Sequence, residues 1–234
     1  MSPIFGLMID KSIRLIARGL SAGRLTTVVS GFEHIPADGP ALIVARHYHH
    51  FYDGLALFAA LPRPFHIVVT IDWAKNQRTR HTMETLARIG RWPVVLRTDA
   101  VDRATTQRGR LFTVHDVVRY QRKAVREAVE LLGAERIVVV FPEGYPNIDP
   151  HHTPKTRPDE FLPFKPGFVN IAATAEKRLT QAIPIIPAGI RYTPGTPWLA
   201  DLKFGEPAYR NDFADARALI SHFEACVRRL SGID

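Results

Sequence analysis

The stretch Ala41-Leu42-Ile43-Val44-Ala45-Arg46-His47-Tyr48-His49-His50-Phe51-Tyr52-Asp53-Gly54 constrains the fold more than any other part of the chain. Five apolar residues, Ala41 to Ala45, end abruptly in an arginine, three histidines and a carboxylate. A short apolar run with β-branched members and a polar end reads as a buried strand. The Leu55-Ala56-Leu57-Phe58-Ala59-Ala60-Leu61 segment behind it reads as a helix that starts at Asp53. An α/β protein uses this layout to put reactive side chains at the carboxyl end of a strand.

The remaining sequence repeats the alternation. Residues 136–141 form a second continuous apolar run, which empties into Pro142-Glu143-Gly144-Tyr145-Pro146 in the manner of a parallel strand inside a covered sheet. Strands are also expected over 26–32, 66–71, 94–96, 183–190 and 202–204. Helices are expected over 3–20, 53–61, 76–89, 114–132, 167–177 and 211–230, with 147–162 a polar, proline-bearing mobile loop. No repeat or low-complexity linker divides the chain. The expectation is a single α/β domain with a central, mostly parallel mixed β-sheet flanked by helices.

The first helix carries two readings. Phe5, Met8, Ile9, Ile13, Ile16 and Leu20 recur at helical spacing, and Lys11, Arg14 and Arg18 share another face. Such a helix can lie in the headgroup layer of an anionic membrane or dock on its own domain with a solvated basic face. Residues 1–25 are therefore set apart as an amphipathic, membrane-associating segment, and 26–234 as the α/β domain. Of 234 residues, 31 are Lys or Arg against 23 Asp or Glu, a net charge of +8, which favours an anionic partner. Apolar runs fall short of the roughly 18–20 residues that span a bilayer, and no secretory signal is visible. The single cysteine, Cys226, excludes an internal disulfide. A peripheral protein at the cytoplasmic face of a membrane is the expected setting.

Histidine beside a carboxylate points to general-base chemistry, since the imidazole titrates near neutral pH and the carboxylate fixes its tautomer. His47, His49 and Asp53 also offer a metal-ligand set, hence a metal-dependent hydrolase as one alternative. A non-catalytic module that binds anionic lipid is another. Phe141-Pro142-Glu143-Gly144 puts a carboxylate and a glycine directly after a buried strand. Phe164-Lys165-Pro166-Gly167 puts a lysine and a glycine at a helix start, a natural place for an anion. Arg97 ends another strand. No Gly-x-Ser-x-Gly elbow, Walker-type loop or Gly-x-Gly-x-x-Gly occurs, which disfavours a serine hydrolase, an ATPase and a dinucleotide enzyme. Basic residues do not gather with aromatics as in nucleic-acid binding.

In their order, these constellations resemble the glycerolipid acyltransferase family, from about Val29 to Pro207. Ser30-Gly31-Phe32-Glu33-His34-Ile35-Pro36 resembles that family's lead-in, and Ile43 to His47 followed by Asp53-Gly54 its first block. Residues 90–97 resemble the second block, Phe141 to Gly144 the third, and 183–187 the fourth. The resemblance implies transfer of a fatty acyl group from acyl-CoA or acyl carrier protein to a hydroxyl of a lysophospholipid or glycerol-phosphate-type acceptor. It implies His47 as base, Asp53 as its partner, and no cofactor or metal beyond the thioester. Arg97, Phe141, Pro142, Glu143, Gly144, Lys165 and Gly167 would bind substrate, the cations taking phosphate with help from Arg191, and Glu143 positioning the acceptor. Three departures stand out. Five residues separate His47 from Asp53 where the family has four, Arg46 replaces asparagine, and Tyr145-Pro146 replaces threonine-arginine. A shifted turn that brings His49 or His50 to Asp53 remains the rival arrangement.

Overall fold

The structure, a computed structural model, describes residues 3–107 and 111–233; the side chains of 3–7 and 103–107 lie outside that description, Phe5 among them. The chain runs α1 (Pro3–Ser21), β1 (Leu25–Ser30), β2 (Ala41–Ala45), α2 (Tyr52–Ala60), β3 (Phe65–Ile67), β4 (Val69–Thr70) and α3 (Gln77–Gly90). It continues through β5 (Val94–Val95), α4 (Thr98–Gln107), α5 (Val114–Gly133), β6 (Ile137–Val140), α6 (Gly167–Leu179), β7 (Ile185–Thr193), β8 (Trp198–Phe204) and α7 (Ala216–Leu230).

The two apolar runs pair with each other. Strand β2 lies parallel to β6 on one side and to β7 on the other, in a sheet of order β1-β8-β7-β2-β6-β3. Strand β3 extends the parallel set beyond β6, while β8 runs antiparallel to β7 and carries β1 parallel to itself. This is one α/β domain on a mostly parallel mixed sheet. Alternate residues of β2 face opposite layers. Ile43 and Ala45 pack with Leu55, Leu57 and Ala17 of α2 and α1, whereas Leu42 and Val44 meet Ala128, Phe168 and Phe223 of α5, α6 and α7.

Several elements differ from the sequence expectation. The run 66–71 is two strands rather than one. At Val68 the chain leaves β6, and β4 pairs with β5 in a separate two-stranded sheet. Residues 98–107, for which no helix or strand is expected from the sequence, form α4, whose Val101 is buried in a satellite core with Ile71, Leu96, Phe112, Val117 and Tyr120. The last strand begins at Trp198 rather than at 202. Helix α1 packs on α2, and Arg14, placed with Lys11 and Arg18 on a solvated face, instead turns inward. Its guanidinium donates to the carbonyls of Leu61 and Arg63 just past the end of α2, where carbonyls lack helical donors.

His66, on β3, is 3% exposed and donates from Nδ1 to the Gly90 carbonyl at 3.0 Å. Its Nε2 has no partner among the described residues. Burial pushes its pKa down from 6.5 to about 4. The unfolded chain therefore takes this proton first as pH falls. The folded state is unaffected above pH 6.5 and loses about 3 kcal/mol relative to the unfolded chain as pH drops to 4. His66→Asn keeps a donor for Gly90 and does not titrate. Urea denaturation across that window should show a flatter decline for the variant, and parallel curves would contradict this.

Candidate active site

His47 and Asp53 follow β2, Phe141 to Gly144 follow β6, and Arg97 and Lys165 bond to that second turn, whereas Arg191 lies apart. His47 is the second residue after β2, and its ring, 18% exposed at the side chain, stacks on Phe141 after β6 with centroids 4.4 Å apart. Asp53, in the first turn of α2, has a side chain only 1% exposed. His47 Nδ1 is 2.8 Å from Asp53 Oδ2. Asp53 also accepts from Tyr48 N at 2.8 Å, His49 N at 3.1 Å and the Tyr192 hydroxyl at 2.8 Å. Surrounded by donors, the carboxylate can only accept, so the His47 proton sits on Nδ1 and the Nε2 lone pair is left to act. Burial, and then the Asp53 charge, push the Tyr192 phenol well above 10, which keeps it a hydrogen-bond donor.

The extra residue between His47 and Asp53 is absorbed in the turn. The backbone bends so that two successive N–H groups, of Tyr48 and His49, both reach Asp53, and His49 forms a bridge to Ile148. The other two histidines have separate partners. His49 Nδ1 accepts from the N–H groups of Phe51 and Tyr52 at 3.2 Å, so its ring satisfies the start of α2, where helical N–H groups lack partners. Burial holds its pKa below 6.5, consistent with a neutral ring accepting those bonds. His50 Nδ1 meets the Ile148 carbonyl at 3.2 Å. It is the His47 ring that meets Asp53. Among the described residues no three His, Cys, Asp or Glu side chains converge as a metal cage.

Glu143 departs from the expectation that it positions the acceptor. Its side chain is fully buried, and both oxygens are engaged within the protein. Oε1 accepts from His47 N at 2.9 Å, and Oε2 accepts from Leu162 N at 2.9 Å and from Lys155 Nζ at 2.6 Å. A ligand finds no free face on this carboxylate. Gly144 completes the turn at φ +76°, a conformation other residues adopt only with strain, and the Lys165 side chain lies in van der Waals reach of its Cα face. Pro142 O accepts from Lys165 N at 3.0 Å, which sets that lysine beside the turn, and Gly167 opens α6.

The two cations expected on phosphate differ in access. Arg97, 9% exposed, pairs with the buried Asp72, donates from Nη1 to the Gly144 carbonyl at 2.9 Å and stacks on Tyr145. Burial alone would lower its pKa, but the Asp72 hydrogen bonds outweigh it and the pKa is raised. Lys165 is 49% exposed and lies 3.3 Å from Asp99, which also accepts from the Tyr145 hydroxyl. Arg191 alternates away from Tyr192 along β7 and lies against Gly232, beyond α7. Arg46, at the asparagine position, is 3% exposed and donates to the Pro158 carbonyl at 2.8 Å, tying the 147–162 segment to the strand ends. That segment, expected to be mobile, has no helix or strand but is held by Arg46, by Lys155 and by Asn147, which donates to the carbonyls of Arg157 and Glu160. Tyr192, Lys155 and Asp72 were not legible as site residues. Each meets its partner across a long sequence gap and sits in no motif.

The parallel-sheet domain carries a histidine–carboxylate pair beside a Phe-Pro-Glu-Gly turn. The sequence profile of the family described as Acyltransferase matches residues 26–191, and the chain belongs to that family. Its fold is similar to the crystal structure of the 1-acyl-sn-glycerophosphate (LPA) acyltransferase PlsC from Thermotoga maritima. That likeness has a TM-score of 0.61 at 21% identity, over 95% of this chain and 78% of the other. No curated protein matches the sequence.

Proposed function

We propose that this acyltransferase moves a fatty acyl group from a thioester, acyl-CoA or acyl carrier protein, to a hydroxyl of a lysophospholipid or glycerol-phosphate-type acceptor. The observation that carries the reading is the 2.8 Å contact of His47 Nδ1 with buried Asp53, which leaves Nε2 of a partly exposed ring free for the acceptor. Nε2 takes the hydroxyl proton as the oxygen attacks the thioester carbonyl. Asp53 stabilises the imidazolium, the tetrahedral oxyanion collapses, and the departing thiolate recovers the proton from Nε2. Base assistance of this kind contributes about 10²–10⁴-fold, and holding the two substrates together supplies much of the rest. The acceptor is itself the nucleophile, so no acyl-enzyme is required.

Lys165, half exposed beside Gly144, is assigned the anionic group of the acceptor, with Arg97 bracing the turn from within. The test is thiol release from a thioester with paired lyso-acceptors that differ only in carrying phosphate. A preference for the phosphorylated member that is lost in Lys165→Ala supports the assignment; no turnover with any acceptor would sink the whole reading.

The outer face of α1 is proposed to rest on the cytoplasmic face of an anionic membrane. Met8, Leu15 and Ile16 are exposed there at 61%, 72% and 61%. Lys11 and Arg18 are exposed on the same helix. Among the described residues no helix is long and apolar enough to cross a bilayer. Leu15→Ser with Ile16→Ser leaves Arg14 and the packing on α2 in place. It should weaken sedimentation with anionic liposomes more than about tenfold, since each such side chain gains about 1.5–3 kcal/mol on leaving water. Unchanged sedimentation would refute the membrane role.

A further inference from the structure

The 147–162 segment inserts one cation into the protein interior. Lys155 has a side chain with no exposed surface, and all three of its ammonium protons have acceptors: Glu143 Oε2 at 2.6 Å, the His47 carbonyl at 2.9 Å and Asn147 Oδ1 at 3.1 Å. A lysine is almost never fully buried unless it is paired. Here its partner, Glu143, is buried as completely and takes the His47 N–H on its other oxygen at 2.9 Å. The backbone of His47 is therefore held at both ends, its N–H by the carboxylate and its C=O by the ammonium, and the two holding groups bond to each other.

The geometry points to Lys155 as a positioning residue for the proposed base. Lys155 and Glu143 form a charged clamp on the His47 peptide groups that sets the ring between Asp53 and Phe141. The inference deepens the proposed reaction and rests on it for the meaning of "base", but not for the contacts. Two of the contacts to Glu143 and one to His47 come from a stretch that carries no strand or helix, so the segment's contribution is orientation. Burial lowers the Lys155 pKa and the Glu143 charge opposes that, which matches a cation kept only because its counter-ion is adjacent. Misplacing a catalytic group by about 1 Å costs on the order of 10²-fold in rate.

The test is Lys155→Met, which keeps the aliphatic stem and removes the charge. Rates are taken per folded protein, and the proton shared by His47 and Asp53 is followed as a downfield imidazole resonance. The expected result is a kcat lowered by about 10–100-fold, KM for both substrates within about twofold, and a shifted or lost resonance. A kcat or a resonance that stays at its wild-type value overturns the clamp. If the unaltered protein turns over no thioester, the proposed function has failed, and the resonance alone decides on the clamp. Should the variant not fold, amide hydrogen exchange in the unaltered protein decides: His47 N–H should exchange as slowly as core strand amides, and fast exchange overturns the inference.

Discussion

His47→Ala is expected to lower kcat for thioester-dependent acylation by about 10³-fold, the middle of the range for loss of a general base. Among the described residues the ring is the one imidazole joined to Asp53, and its Nε2 has no hydrogen-bond partner. Its alanine variant should fold normally, because the two backbone bonds to Glu143 and Lys155 do not involve the side chain. The neighbouring histidines serve as contrast. His49→Ala removes the acceptor for two N–H groups at the start of α2 and should cost about 1 kcal/mol of stability, while kcat stays within about tenfold. Steady-state rates for the three alanine variants at one pH separate the arrangements. Full turnover in His47→Ala, or an equal loss in His50→Ala, would end the assignment.

Asp53→Asn should be at least as damaging, with kcat falling by about 10⁴-fold, the cost of the wrong imidazole tautomer where a buried carboxylate holds one. Asp53 accepts from the His47 ring, two backbone N–H groups and the Tyr192 hydroxyl, and the two backbone groups can only donate. An amide has one acceptor oxygen where the carboxylate has two, and its NH₂ would point at one of those donors. With its NH₂ turned toward His47 the amide makes Nδ1 an acceptor, which forces the proton onto Nε2 and abolishes the base; turned toward the Tyr192 hydroxyl, it keeps the tautomer but no longer offers a charge to stabilise the imidazolium. Leaving a buried donor unmatched costs about 1–3 kcal/mol as well, so rates need normalising to folded protein. A variant with kcat within tenfold of the wild type would show that Asp53 does not set the tautomer.

Much of this was legible in the chain because short-range physics decides it. Ala41–Ala45 and Ile137–Val140 are fully committed to burial on both faces, so they read as central parallel strands, and the polar residues just beyond them had to emerge at one end of the sheet. His47, Asp53, Phe141 and Gly144 come together there, as that reading expects. The His47–Asp53 spacing misleads on paper, since the extra residue vanishes into a turn closed by the Tyr48 and His49 amides. Helix α4 was missed because one buried valine gives no periodicity. The break at Val68 was missed because a change of pairing partner leaves no local mark. Glu143 was recognised as important but assigned outward, because nothing in its own turn shows the lysine twelve positions downstream that neutralises it. Arg97 was likewise assigned to ligand, since Asp72 lies on a different strand end. Charge pairs closed by loops are set by tertiary packing, which sequence spacing does not encode.

The most direct measurement is thiol release by the wild-type protein from a single acyl thioester, with and without lyso-acceptor, alongside quantification of the acylated product. Direct attack by the acceptor predicts almost no thiol without acceptor and, with it, one thiol per acylated lipid. Thiol release that is independent of the acceptor, or a burst of thiol before any acceptor is added, would contradict direct base-catalysed transfer.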